Sequence, residues 1–173
     1  MENYNGEKVC RLCLNSTCSP IELTSHEAGL QMCGLCLPEI DLSICYDSAL
    51  CSKCFHYLEN VYIFKIRCLQ TEEKLRLYLE NCDPQKINLQ HIMECVTNVE
   101  DELDSEICRS CLTTSSEFTS VGENDPILRN MFATCIPEMD LSLLSSPVIC
   151  NSCVNRVKDF TLSNQNVYKL KEN

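Results

Sequence analysis

The sequence predicts a small α+β protein built as two tandem copies of one module. Each copy is stapled through four cysteines and carries a helix after its second cysteine pair. Three observations predict this. Sixteen of the 173 residues are cysteine, several times ordinary usage, a density that signals disulfides or bound metal. The cysteine motifs occur twice in the same order. Apolar residues after the second motif recur every three or four positions, the period of one helix face.

The duplication is explicit. Cys10-Arg11-Leu12-Cys13-Leu14 recurs 98 positions on as Cys108-Arg109-Ser110-Cys111-Leu112. Cys36-Leu37-Pro38-Glu39-Ile40-Asp41-Leu42-Ser43 recurs as Cys135-Ile136-Pro137-Glu138-Met139-Asp140-Leu141-Ser142, and Cys51-Ser52-Lys53-Cys54 as Cys150-Asn151-Ser152-Cys153, both at an offset of 99. A repeat of this length is too long for a solenoid and too short for two large enzyme domains. The chain therefore divides into a first module at 1–82, a connector at 83–105 and a second module at 106–173. Glu100, Asp101, Glu102 and Asp104 give the connector the acidity of a solvated segment, and residues 87–99 are amphipathic enough for a short helix inside it.

Within each module the turn residues come first, as in Asn15-Ser16-Thr17 and Gly122-Glu123-Asn124-Asp125-Pro126. Strands in these stretches are expected to be short and few. Short helices are expected over 30–37 and 127–136, each ending before a proline that disfavours the α conformation ahead of it. After the second cysteine pair, Phe55, Leu58, Tyr62, Ile66 and Leu69 define a helix face. Leu75, Tyr78, Leu79 and Cys82 follow Thr71-Glu72-Glu73, which is open to two readings, a restart capped by the threonine or a continuation. In the second copy Val154, Val157 and Phe160 keep the period, and Ser163-Asn164-Gln165-Asn166 is expected to interrupt it before Val167 and Leu170.

A unit of roughly 70 residues buries too little apolar surface to be robust without a staple. Residues 1–8 hold no apolar run of the secretory kind and no stretch reaches the 18 or so apolar residues of a membrane span. A cytosolic or nuclear address is the expectation, with thiols reduced and metal favoured over disulfides. Acidic residues outnumber basic ones 25 to 14, for a formal net charge of −11, which argues against unaided nucleic-acid binding, since that relies on lysine and arginine displacing phosphate counterions.

Two cysteines separated by two residues can place both sulfurs about 2.3 Å from one ion, and two such pairs complete the tetrahedron of a structural zinc. The predicted ligands are Cys10, Cys13, Cys51 and Cys54 in copy one and Cys108, Cys111, Cys150 and Cys153 in copy two, for two zinc ions per chain. Of the other eight cysteines only Cys36 and Cys135 correspond. Cys18, Cys33, Cys45, Cys68, Cys82 and Cys95 do not, and read as small buried apolar residues or free thiols. Cys33-Gly34-Leu35-Cys36 has the spacing of a redox dithiol, but its counterpart Phe132-Ala133-Thr134-Cys135 has lost one thiol. His26, His56 and His91 do not recur, so neither a Cys–His nucleophile nor an open catalytic zinc is repeated. No enzyme is expected. Arg11 and Arg109, each inside a cysteine pair, can offset the negative zinc site or donate to backbone carbonyls; a solvated arginine is the plain alternative.

Taken together, Cys-Arg-x-Cys-Leu, a second Cys-x-x-Cys some 40 residues on, and a helix with Leu58, Phe64 and Cys68 resemble the zinc-finger-associated domain (ZAD) of insect transcription regulators. Ser146-Pro147-Val148-Ile149-Cys150 is similar to that family's Pro-x-Ile-Cys entry to the second pair. The resemblance implies a treble-clef-like module, one zinc held by the four cysteines named above, and a long C-terminal helix that pairs with the same module of another chain. It further implies a nuclear, non-enzymatic dimerisation and partner-recruitment role in transcription or chromatin regulation. Partners would be the chain itself or related zinc-finger-associated-domain proteins, with no direct nucleic acid and no membrane. Candidate pairing helices are 52–69 and 151–168. The chain holds no Cys-x2-4-Cys…His-x3-5-His finger. Copy two also replaces Tyr62, Phe64 and Cys68 by Thr161, Ser163 and Val167. Internal pairing of the two modules, a zinc-dependent DNA-binding factor and a thiol redox protein are the alternatives.

Overall fold

The computed structural model describes residues 8–41, 48–81, 89, 92, 106–115, 117–121, 125–144 and 147–169. The chain is a small α+β protein that divides into two compact units, one drawn from Met1–Ile63 with Ser163–Asn173, the other being Phe64–Leu162. Apart from 89 and 92, the acidic connector and the helix expected at 87–99 lie outside the described residues. Among the described residues no helix is long and apolar enough to cross a membrane.

In the first unit, β1 (Lys8–Val9) pairs antiparallel with β2 (Ser16–Thr17), with Lys8 opposite Thr17. The turn between them carries the first cysteine pair and closes through Cys10 N–H to Asn15 O at 2.9 Å and Leu14 N–H to Cys10 O at 2.9 Å. β3 (Ile21–Glu22) pairs antiparallel with β4 (Ala49–Leu50), which delivers the chain to the second cysteine pair. Arg11 N–H donates to Ala49 O at 2.8 Å, tying the knuckle to β4. Such two-residue strands have no stability of their own. What fixes them is the core beneath, where Leu23, Leu50 and Leu58 are fully buried, each burial contributing on the order of 1.5–3 kcal/mol.

Helix α1 (Glu27–Cys36) fills the space between β3 and β4 in the chain and buries Gly29, Met32, Cys33 and Cys36. Its first turn is capped by a histidine: Gly29 N–H donates to His26 Nδ1 at 3.0 Å. The same ring stands edge-on to Phe55, centroids 5.0 Å apart. A Cβ on Gly29 would sit 2.9 Å from Leu23 Cδ2, so a larger residue here requires the buried Leu23 side chain to shift. The helix stops at Leu37, which has φ −137° and ψ 56°, as expected of a residue held out of the α region by Pro38.

The second copy repeats this plan with firmer signals. β5 (Phe118–Ser120) pairs antiparallel with β6 (Val148–Cys150) in three-residue register. Helix α3 (Pro126–Cys135) starts with proline and is capped by Asp125, whose Oδ1 accepts from Leu128 N–H at 2.9 Å. It stops at Ile136, with φ −137° and ψ 68°, ahead of Pro137. Arg109 N–H donates to Val148 O at 2.9 Å, the counterpart of the Arg11 bond.

Helix α2 (Ser52–Asn81) runs without a break. Thr71 does not cap a restart; its Oγ1 donates to Arg67 O at 3.1 Å, one turn back inside the helix. Residues from Phe64 onward belong to the second unit, where Phe64, Cys68, Thr71, Glu72 and Leu75 are buried. Helix α4 (Asn151–Lys169) likewise continues through Ser163-Asn164-Gln165-Asn166. Those residues are each only tenths of a kcal/mol poorer than good helix formers, too little to break a helix already nucleated.

Both knuckles end on a leucine in the left-handed region, Leu14 at φ 57° and Leu112 at φ 54°, which costs a Cβ-bearing residue roughly 1–2 kcal/mol. Leu14 is 48% exposed, so its side chain returns little of that cost through packing. Replacing it with glycine removes the strain against roughly 0.5–1 kcal/mol of added unfolded-state entropy. Leu14→Gly should therefore raise stability by about 0.5–1 kcal/mol in thermal denaturation of the metal-loaded chain, whereas Leu14→Ala, which keeps the Cβ, should give no gain.

Candidate metal centres

The structure brings the eight predicted cysteines together in two groups. Cys10, Cys13, Cys51 and Cys54 form one; Cys108, Cys111, Cys150 and Cys153 form the other; within each, every sulfur lies within 4.8 Å of the rest. Each group draws one pair from a hairpin knuckle and one from a strand-to-helix junction. Cys51 follows β4 and Cys54 lies in the first turn of α2, while Cys150 ends β6 and Cys153 lies in the first turn of α4.

The spacing decides between bond types. Cys13 Sγ lies 3.9 Å from Cys51 Sγ, and Cys111 Sγ lies 3.9 Å from Cys150 Sγ. A disulfide needs about 2.05 Å. A tetrahedral ion with sulfur bonds of about 2.3 Å has sulfur–sulfur edges of about 3.8 Å. All eight cysteines are free thiols, and the two cross-pair separations match the edge a shared ion requires. Each group is complete, with four sulfur donors and no place reserved for a water or substrate, the arrangement of a structural rather than a catalytic site.

Electrostatics explain why such a group calls for a cation. At Cys10 burial opposes ionisation, but backbone N–H groups of Cys51, Cys13 and Leu12 outweigh it and bring the thiol down to about 7. The same first charge works against its neighbours: Cys54 is pushed well up, by burial and then by the surrounding sulfurs. In the second group the Cys111 thiolate is strongly favoured by a hydrogen bond from Cys108. Cys108 is raised to about 12 by that same bond, and Cys153 is raised further still by Cys108 and Cys111. In each group one thiolate forms readily while sulfurs beside it, Cys54 in the first and Cys108 and Cys153 in the second, hold their protons. A divalent ion removes that conflict by pairing with all four.

The two arginines behave differently. Arg109 is fully buried; its Nη2 donates to Asp140 O at 2.8 Å and forms an ion pair with Glu72, itself 3% exposed. Arg11 is half-buried, and its Nη2 reaches Asp41 O at 3.5 Å. Donation to the carbonyl of the Pro-Glu-x-Asp block is thus a repeated device, and the carboxylate is added in copy two. Sequence reading had no place for Glu72. The available signal was its position on the stripe Phe64, Cys68, Leu75, an acidic residue where the helical period demands an apolar one.

The remaining cysteines described stay outside the two groups. Cys18 is exposed, while Cys33, Cys36, Cys68 and Cys135 are buried. Burial pushes the Cys33 thiol up to about 11, the opposite of the depressed value a redox dithiol needs. Cys68 Sγ lies 2.9 Å from Ser110 Oγ. Cys45, Cys82, Cys95 and His91 lie outside the described residues. Compared with known proteins, the chain matches no family model, no curated protein and no solved structure.

Metal binding at these groups must expel protons from thiols such as Cys54 and Cys108, whose folded-state values lie above neutrality. Affinity therefore falls as pH falls. Competition against a chromophoric chelator between pH 8 and pH 6 should show each site weakening at least about tenfold per pH unit, one proton's worth or more; a pH-independent affinity would mean that the thiols are not the ligands.

Proposed function

We propose that the chain is a zinc-binding, non-enzymatic interaction protein whose two treble-clef-like modules mediate pairing with zinc-finger-associated domains, in a nuclear setting of transcription or chromatin regulation. The observation that carries this reading is the pair of complete four-cysteine groups. Four sulfurs close the coordination sphere, leaving the ion to hold the fold together rather than to act on a substrate. The duplicated Cys-Arg-x-Cys-Leu motif and its order with the second pair link the modules to the zinc-finger-associated domain. Zinc is preferred because four thiolates in a tetrahedral set suit it, and its binding free energy supplies what cores of this size lack.

An interaction surface is available on the first unit. Ile63 and Leu30 are 48% and 38% exposed, and an open groove lined by Met32, Phe55, Tyr62 and Ile63 lies between α1 and the start of α2. A second reading, in which the modules pair within one chain, is favoured by the residues of α2 that are buried with the second cysteine module: Phe64, Cys68, Glu72 and Leu75. Helix pairing in that case fills the second module's site from the same polypeptide, and association with other proteins uses the remaining surface.

Zinc and assembly are linked in both readings. Stripping zinc with a chelator should abolish helical circular dichroism and the capture of zinc-finger-associated-domain proteins together, and re-adding zinc should restore both. Helicity and partner capture that survive zinc removal would exclude the proposed mechanism. Duplex DNA should show no specific, salt-dependent binding.

A further inference from the structure

The second cysteine module borrows a charged group from the helix of the first repeat. Along α2, Lys65, Cys68 and Glu72 fall at i, i+3 and i+7, one face of the helix. Lys65 Nζ lies 3.4 Å from Glu138 Oε1, Cys68 Sγ lies 2.9 Å from Ser110 Oγ, and Glu72 pairs with Arg109. All three partner residues belong to motifs of the second copy, two of them inside its first cysteine pair. Lys65, Glu72, Arg109 and Ser110 are all buried.

The Glu72–Arg109 pair is the costliest of these to break. Arg109 Nε and Nη1 and Glu72 Oε2 have no hydrogen-bond partner among the described residues. The guanidinium therefore relies on one carboxylate oxygen and the Asp140 carbonyl. Removing one partner of a buried pair leaves the other charge uncompensated, whereas replacing both with apolar residues is often neutral. Arg109 also sits between two ligands of the second group, so its orientation is the orientation of the knuckle that presents Cys108 and Cys111.

We propose that Glu72 is a positioning residue for the second metal centre and the specificity determinant for the helix that docks beside it. The partner helix of the second module must carry a carboxylate at this register. By sequence the second repeat has no carboxylate at this register: the offset of 99 puts Lys171 at the position of Glu72. Pairing of two second modules with each other would set a lysine against a buried arginine. The second module is thus built for the helix of the first repeat and excludes its own.

This rests on the reading of the cysteine groups as metal sites, and the first group serves as the internal control. The intact chain is titrated with zinc against a chromophoric chelator as wild type, Glu72→Gln and Glu72→Lys, each also in a Cys111→Ser background that disables the second centre. Loss of a group that orients a metal ligand typically lowers affinity 10–100-fold. Glu72→Gln should weaken one of the two zincs by about tenfold or more, Glu72→Lys by more than that, and neither should change the zinc retained in the Cys111→Ser background. Glu72→Leu with Arg109→Met should return the weakened site to within a few-fold of wild type, and this double variant decides the matter if the single ones do not fold. Equal weakening of both sites, no weakening, or a double variant as weak as Glu72→Gln would overturn the proposal. A wild-type chain that takes up no zinc would instead remove the metal reading beneath it.

Discussion

Four thiols cannot all ionise within 4.8 Å of one another unless a cation sits among them, and the rest of the architecture follows from that constraint. The knuckles, the two-residue strand pairs and the first turns of α2 and α4 exist to deliver four sulfurs to one point. None of these elements is stable alone. Their hydrogen bonds form a closed set around the cysteines: Leu14 N–H to Cys10 O, Arg11 N–H to Ala49 O, and in the second copy Leu112 N–H to Cys108 O and Arg109 N–H to Val148 O. Both knuckles accept a left-handed leucine to make the turn, a strain that metal binding free energy easily exceeds.

The two copies differ where they meet charge. Arg11 stands half in solvent with one long bond to Asp41 O. Arg109 is sealed away from water and needs a counter-ion, which arrives on a helix that begins at the other cysteine group. A buried ion pair adds little to stability compared with apolar packing, but it discriminates strongly between partners that do and do not complete it.

Much of the plan was legible in the residues. Cysteine spacing gave the two groups because a Cys-x-x-Cys knuckle is a local structure whose geometry travels with its sequence. Pro38 and Pro137 marked the ends of α1 and α3 because proline acts on the residue before it. The harder parts depend on residues distant in the chain. A threonine at position 71 looks the same in sequence whether it caps a new helix or bonds back to Arg67, and only burial on both sides of it selects the latter. His26 as an N-cap was not foreseen, since a ring nitrogen seldom takes that role. The partners of Glu72 and Lys65 are not visible in the sequence, because Arg109, Glu138 and their motifs are brought to them only by the fold.

The central claim is that each four-cysteine group holds one zinc. Native mass spectrometry of the chain purified in the presence of zinc tests it directly, because the metal count per chain is read from the mass without any assumption about structure. The account predicts two zincs per chain, falling to one when Cys13 or Cys111 is replaced by serine and to none when both are. A wild-type chain that carries no zinc, or one that loses two hydrogens for each internal disulfide instead of gaining metal, would contradict it.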